Sequence, residues 1–194
     1  MTQTYLAMDA LLMLMDEPAR SGCRQLLVEQ RSRFQQAFGS SHNHQAWPSG
    51  YFDHIQEVLN IAVVLYNALA PLRPLPFSLS DALLVLYLHD IEKPWAYEAD
   101  AQGRLRRKAN FATKEAQQAF RLNLLQQYNI RLTPEQENGL RYAEGEIGAY
   151  SNQQRTMGPL AAFCHSCDVI SARLWFDHPW PANDPWPGAG RQRE

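Results

Sequence analysis

Little in this chain of 194 residues points to an exported or membrane-bound protein. Its cysteines number only three, an odd count that argues against a disulfide framework and for a reducing compartment. Long apolar runs are missing. The stretch Ala10 to Met15 is flanked by Asp9, Asp16 and Glu17, follows no basic segment, and falls far short of the about 20 residues that span a bilayer. Net charge is only −2, so no global field draws nucleic acid or an anionic membrane, and an anionic ligand has to be met by a local patch. No internal repeat and no domain boundary are visible. The expectation is a cytoplasmic protein with no membrane association.

The chain has enough apolar side chains, 45% of residues, to fill one core. Their spacing predicts helices almost throughout, hence an all-α fold. One helix carries Leu6, Leu11, Leu12, Leu14 and Met15 and stops near Glu17-Pro18; a second runs from Cys23 to Phe38. Between Tyr51 and Leu69, the positions Ile55, Val58, Leu59, Ala62, Val63 and Tyr66 form a core-facing stripe. Ser78-Leu79-Ser80-Asp81 can cap a buried helix from Ala82 to His89. A charged connection follows from Tyr97 to Asn110, with a turn at Asp100 to Gly103. Further helices are expected from Ala112 to Tyr128, after Thr133-Pro134, and from Gly158 to Phe176, the last offering Leu160, Phe163, Val169, Leu174 and Trp175 to the core. Residues 1–178 are expected to form a single domain, and 179–194 a Pro/Trp-rich tail, extended or disordered unless its tryptophans dock on the body or on a partner.

Against this helical background, His54 stands in the first turns of one helix, the adjacent pair His89-Asp90 ends an apolar run, and Asp168 lies far downstream. Imidazoles and carboxylates are ligands for divalent ions, and packing does not explain a His-Asp pair in that position. Neighbours on a helix point about 100° apart. His89 and Asp90 can nevertheless grip one ion between those directions at a helix end, while His54 and Asp168 approach from other helices. Such a site suits hydrolysis with an activated water.

The order H…HD…D, with its surroundings, resembles the HD-domain superfamily of metal-dependent phosphohydrolases, most of all the HD domain of bacterial 3′–5′ exoribonucleases. His44-Gln45-Ala46-Trp47-Pro48-Ser49-Gly50-Tyr51-Phe52-Asp53-His54 is similar to that group's H-H-A-Y-x-G-G-L-L-E-H, and Leu88 to Lys93 to its L-H-D-I-G-K. Ala143-Glu144-Gly145-Glu146 stands in the place of H-H-G-E, and Met157 through Leu174 resembles the M-T-P…A-D-x-x-D-A-x-L segment. The resemblance implies a helical HD bundle, with His54, His89, Asp90 and Asp168 holding a metal. Asp90 and Lys93 would serve the chemistry, and Lys93 and His44 would meet the substrate phosphate. It further implies a phosphohydrolase or phosphodiesterase acting on a nucleotide or nucleic-acid phosphoester.

Departures from the pattern bear on activity. Relatives with two metals use additional histidines, yet this chain has none from Ile91 to Phe163. A single divalent transition ion, Mn, Fe, Ni, Co or Zn, is therefore expected. Glu144 replaces a histidine and could supply an oxygen to the metal or act as a base. Glu92 replaces a glycine and would bring negative charge toward an anion site. The only dense basic patch, Arg104, Arg106, Arg107 and Lys108, is read either as phosphate contact through Arg106 and Arg107 or as a solvated loop. Cys164 and Cys167 read as buried thiols, and His165, on Asp168's side of its helix, as an alternative metal ligand or a support for one. The alternative function is an HD-fold binding or regulatory protein that has lost turnover, with a protein partner on the tail.

Overall fold

The computed structural model describes residues 4–40, 44–99, 105–146, 151, 153, 155–174 and 186. In chain order the elements are α1 (Met8–Leu12), α2 (Ala19–Gln36), α3 (Gly50–Leu69), α4 (Leu79–Leu88), α5 (Lys93–Ala96), β1 (Tyr97–Ala99), β2 (Leu105–Arg107), a 3-10 turn (Ala109–Phe111), α6 (Lys114–Gln127), α7 (Pro134–Tyr142) and α8 (Pro159–Arg173). They make an all-α helical bundle with one small hairpin. No helix among the described residues is long and apolar enough to cross a membrane.

The central helix is α4. Every residue from Ala82 to Leu88 is buried, as expected of a helix that is apolar all round. Each large side chain so enclosed contributes on the order of 2 kcal/mol from burial. A reciprocal cap starts the helix: Ser78 Oγ accepts from the Asp81 amide at 3.1 Å, and the Asp81 carboxylate accepts from the Ser78 amide at 2.9 Å. Around α4 pack α3, α7 and α8, and α3 and α8 also touch each other. On α3 the buried stripe contains Ile55, Val58, Leu59 and Ala62, as the periodicity predicts, while Val63 and Tyr66 are only partly covered. Thr133 and Gln136 cap α7 reciprocally, and Thr113 caps α6 by accepting from the Ala116 amide.

Several expectations need correction. Helix α2 runs Ala19–Gln36, beginning a turn before Cys23 and ending two residues before Phe38, and Gly22 within it is a packing residue. A Cβ there would lie 2.6 Å from both the Tyr128 carbonyl oxygen and Ile130 Cγ1, so glycine lets α2 press against that segment. The charged connection is partly an antiparallel hairpin, pairing Tyr97 with Arg107 and Glu98 with Arg106. On α8, Leu160, Cys164, Cys167 and Ser171 face inward at helical spacing, which turns Val169 and Leu174 outward, 40% and 52% exposed. The expected turn at 100–103, Arg104, Trp175 and nearly all of the tail lie outside the described residues. From the tail, Trp186 packs edge-on against Tyr5, with ring centroids 5.0 Å apart.

Candidate metal centre

Two helices and one turn converge on a buried point. His54 comes from the second turn of α3, Asp168 from the middle of α8, and His89 and Asp90 from the turn that ends α4. His54, His89 and Asp168 each place one donor atom so that all lie within 4.8 Å of one another. His54 Nε2 is 3.2 Å from Asp168 Oδ1 and 3.6 Å from Asp90 Oδ2; His89 Nε2 is 3.5 Å and 3.3 Å from the same two oxygens. The regular run of α4 ends at Leu88 and a turn follows, although His89 itself keeps helical dihedrals (φ −60, ψ −34), and within that turn His89 and Asp90 both reach the cluster.

The bonding of His89 decides what that point requires. Its Nδ1 lies 2.7 Å from the Leu86 carbonyl oxygen, one of the acceptors left over in the last turn of α4. A carbonyl only accepts, so Nδ1 carries the hydrogen and Nε2 of the neutral ring is bare. Neither His89 Nε2 nor His54 Nε2, both buried, makes a hydrogen bond of ordinary geometry. Two imidazole nitrogens and two carboxylate oxygens are thus aimed at one another with nothing apolar between them, an arrangement that calls for a cation. Ligands sharing one ion at about 2.1 Å sit roughly 3 to 4 Å apart, which matches these separations. The donor set suits a divalent transition ion. The cluster can hold a metal.

The electrostatics of the cluster are set by burial and by the groups that face one another. Burial would raise the Asp168 and Asp90 carboxyls, but the imidazoles beside them, and Lys93 in the case of Asp90, hold both well below the usual carboxylate range. His54 is pushed down by burial, which Asp168 and Asp90 only partly offset. For His89 burial also lowers the value, yet Asp90 and Asp168 outweigh it and the ring sits well above its ordinary range. Lys93 opens α5 with Nζ on Asp90 Oδ2; burial opposes its charge, and Asp90 and Asp168 more than restore it.

The other residues singled out from sequence are distributed unevenly. His44 is at the centre, its ring 4.9 Å from that of His54, and burial lowers its pKa to about 3. Arg107 caps the hairpin stem: its guanidinium stacks over the Tyr97 ring at 5.1 Å and donates to the Tyr97 hydroxyl at 2.9 Å. Arg106 is exposed on the same strand, and Tyr97 is near enough to Lys93 to favour its charge. Glu144 is not brought to the cluster; its carboxylate, about half exposed, accepts from Lys114 at 2.6 Å. Glu92 does not load the site with free negative charge, because it is buried in an ion pair with Arg121 at 3.0 Å. His165 turns toward the end of α7, its Nδ1 2.9 Å from the Ala143 carbonyl. Cys164 and Cys167 are buried free thiols, raised by burial.

Two residues beside the cluster escaped the sequence reading: Glu57 and Ser171. Ser171 Oγ is 3.1 Å from His54 Nδ1 and donates to Glu57 Oε2 at 2.8 Å. Burial raises the Glu57 carboxyl to about 7. A signal existed, since each stands three positions after a candidate ligand on the same helix face, and Glu57 is a carboxylate within an apolar stripe.

No protein-family model matches this chain, and no curated protein or solved structure compared with it matches either. The buried His54, His89 and Asp168 cluster marks a helical protein able to bind a metal.

Proposed function

We propose that the protein is a cytoplasmic HD-type phosphohydrolase or phosphodiesterase that uses one divalent transition ion to hydrolyse a phosphoester of a nucleotide or nucleic-acid end. The observation that carries this reading is the pair of buried, unbonded imidazole nitrogens facing Asp90 and Asp168. His54, His89, Asp90 and Asp168 would hold the ion. Such an ion supplies Lewis acidity to a phosphoryl oxygen and lowers the pKa of a water.

The remaining roles belong to the chain. Lys93 offers a charged ammonium beside the cluster, suited to neutralising a phosphoryl group. His44, kept neutral by burial and with Nε2 unbonded, can exchange a hydrogen bond with a ligand there. Arg106 and Arg107, on the hairpin that follows Lys93, are suited to a more distant phosphate. Asp90 orients Lys93 as well as contributing to the ion.

A second reading, an HD-fold binding or regulatory protein without turnover, is favoured by one observation: Glu144 is engaged on the surface, so that residue adds no further carboxylate base to the cluster. One experiment separates the two. Protein loaded with Mn, Co, Ni, Fe or Zn is tested on bis-p-nitrophenyl phosphate, nucleotides, cyclic nucleotides and short RNA, beside Asp168→Asn. Turnover lost in the variant supports the enzyme, whereas nucleotide binding without turnover under any metal supports the second reading.

A further inference from the structure

We propose that Glu57 and Ser171 are positioning residues that fix the tautomer of His54, keeping its Nε2 free for a cation. The inference rests on reading the His54, His89, Asp90 and Asp168 cluster as a metal site. It begins with the single hydrogen of the Ser171 hydroxyl. That oxygen has three polar neighbours: it accepts from the Gln45 side-chain amide at 3.4 Å, and of the two groups that could take its hydrogen, Glu57 Oε2 at 2.8 Å and His54 Nδ1 at 3.1 Å, it can donate to only one.

Glu57 decides which. Its Oε2 also accepts from the Gln45 side-chain amide at 3.0 Å, while Oε1 makes no hydrogen bond of ordinary geometry, the Trp186 indole lying near enough to the carboxyl to favour its charge. An oxygen that receives two donors is not where the carboxyl's own proton resides; that proton, when present, belongs on Oε1. In either protonation state Oε2 therefore accepts from Ser171. The Ser171 lone pairs then face His54 Nδ1, which has to be the N–H donor. Neutral imidazole carries one such hydrogen, so Nε2 is bare.

This assignment runs against the local field. With two carboxylate oxygens within 3.6 Å of Nε2, a hydrogen placed there would be attracted to Asp168 and Asp90 and would block the lone pair a metal needs. A hydrogen-bonded outer group on the opposite ring nitrogen counters that preference and raises the basicity of the ligating nitrogen. For His89 the Leu86 carbonyl serves this purpose; for His54 the Ser171–Glu57 pair serves it.

The arrangement is costly to maintain, which packing alone does not explain. Glu57 and Ser171 are each 1% exposed, and among the described residues no lysine or arginine is bonded to that carboxylate. Gln45 reaches Glu57 from a left-handed backbone, φ 41, unusual for a residue with a side chain. Its carbonyl accepts from the Gly39 amide at 3.0 Å and lies against Gly50, where a Cβ would come within 1.8 Å of that oxygen. Only glycine at the start of α3 permits this turn.

The test uses the full chain labelled with 15N-histidine. In metal-free protein, long-range 1H–15N correlations are expected to show His54 as the Nδ1–H tautomer. In Ser171→Ala the Nε2–H form should appear, and Mn or Zn affinity should fall about 10- to 100-fold. Ser171→Thr, which restores the hydroxyl, should recover both, and Glu57→Leu should behave as Ser171→Ala. Wild-type His54 found as Nε2–H overturns the proposal even if a variant fails to fold. So does an Ser171→Ala protein with unchanged tautomer and unchanged metal affinity. A wild type with the expected tautomer but no metal binding would instead overturn the reading of the cluster as a metal site.

Discussion

Lys93 Nζ sits on Asp90 Oδ2, the same carboxylate oxygen that lies 3.3 Å from His89 Nε2. A fixed cation is therefore already bonded to one of the oxygens offered to the metal. The two positive charges compete for Asp90 and repel each other across a buried site where screening is weak. Lys93→Met should raise affinity for Mn or Zn at least about threefold. Phosphoester turnover should fall by about tenfold or more, because the ammonium is lost from the phosphate side. Calorimetric titration with metal and single-turnover kinetics measure the two effects, and their opposite signs distinguish Lys93 from a residue that merely supports the fold.

Glu92 and Arg121 form a buried pair whose removal concerns stability more than chemistry. Glu92→Gln leaves Arg121 inside the protein without its counter-charge, a change that typically costs about 3 to 5 kcal/mol. Urea denaturation should show that loss while metal affinity per folded molecule stays within about twofold of wild type. A large drop in affinity at unchanged stability would place Glu92 in the site.

Glu57 supplies a pH dependence with a definite sign. Its carboxyl has an ordinary value of 4.5 and is raised to about 7 by burial, so the folded chain prefers it protonated. Its contribution to stability is fully present below about 4.5 and is lost as pH rises through about 7. Glu57→Gln cannot ionise there. Wild type should therefore lose stability relative to Glu57→Gln between pH 4.5 and 7 and run parallel to it above. Denaturation midpoints of both proteins at several pH values, in chelator, give the answer; a difference independent of pH would contradict the burial of that carboxyl.

Glu144→Ala should alter metal content and turnover by less than about twofold, since its exposed bond to Lys114 is of a kind worth about 1 kcal/mol or less. Metal analysis and a rate measurement at matched metal loading suffice. A tenfold loss in either would return Glu144 to the site.

The residues that were legible in the sequence are those whose chemistry conflicts with their surroundings. His54 in an apolar helix and His89-Asp90 at the end of α4 stand out because packing alone does not call for them. The helical class followed from periodicity, and the Ser78 and Thr133 starts from capping chemistry. What could not be read depends on which atoms meet across the fold. Nothing local to Glu92 reveals Arg121, and nothing local to Glu144 reveals Lys114. The hairpin was hidden because β1 and β2 are only three residues each, too short for an alternating pattern to emerge from a charged loop. Glu57 and Ser171 fall between these cases, visible as one-turn neighbours of ligands but meaningful only once α3 and α8 are packed together.

The most direct test of the central claim is equilibrium dialysis of chelator-stripped protein against Mn or Zn, read by elemental analysis, with Asp168→Asn alongside. That substitution keeps the shape of the side chain and removes its charge from the cluster. The structure predicts one tightly held ion per wild-type chain and at least about a tenfold loss of affinity in the variant. Wild-type protein that retains no divalent ion, or an Asp168→Asn protein that binds as tightly as wild type, would contradict it.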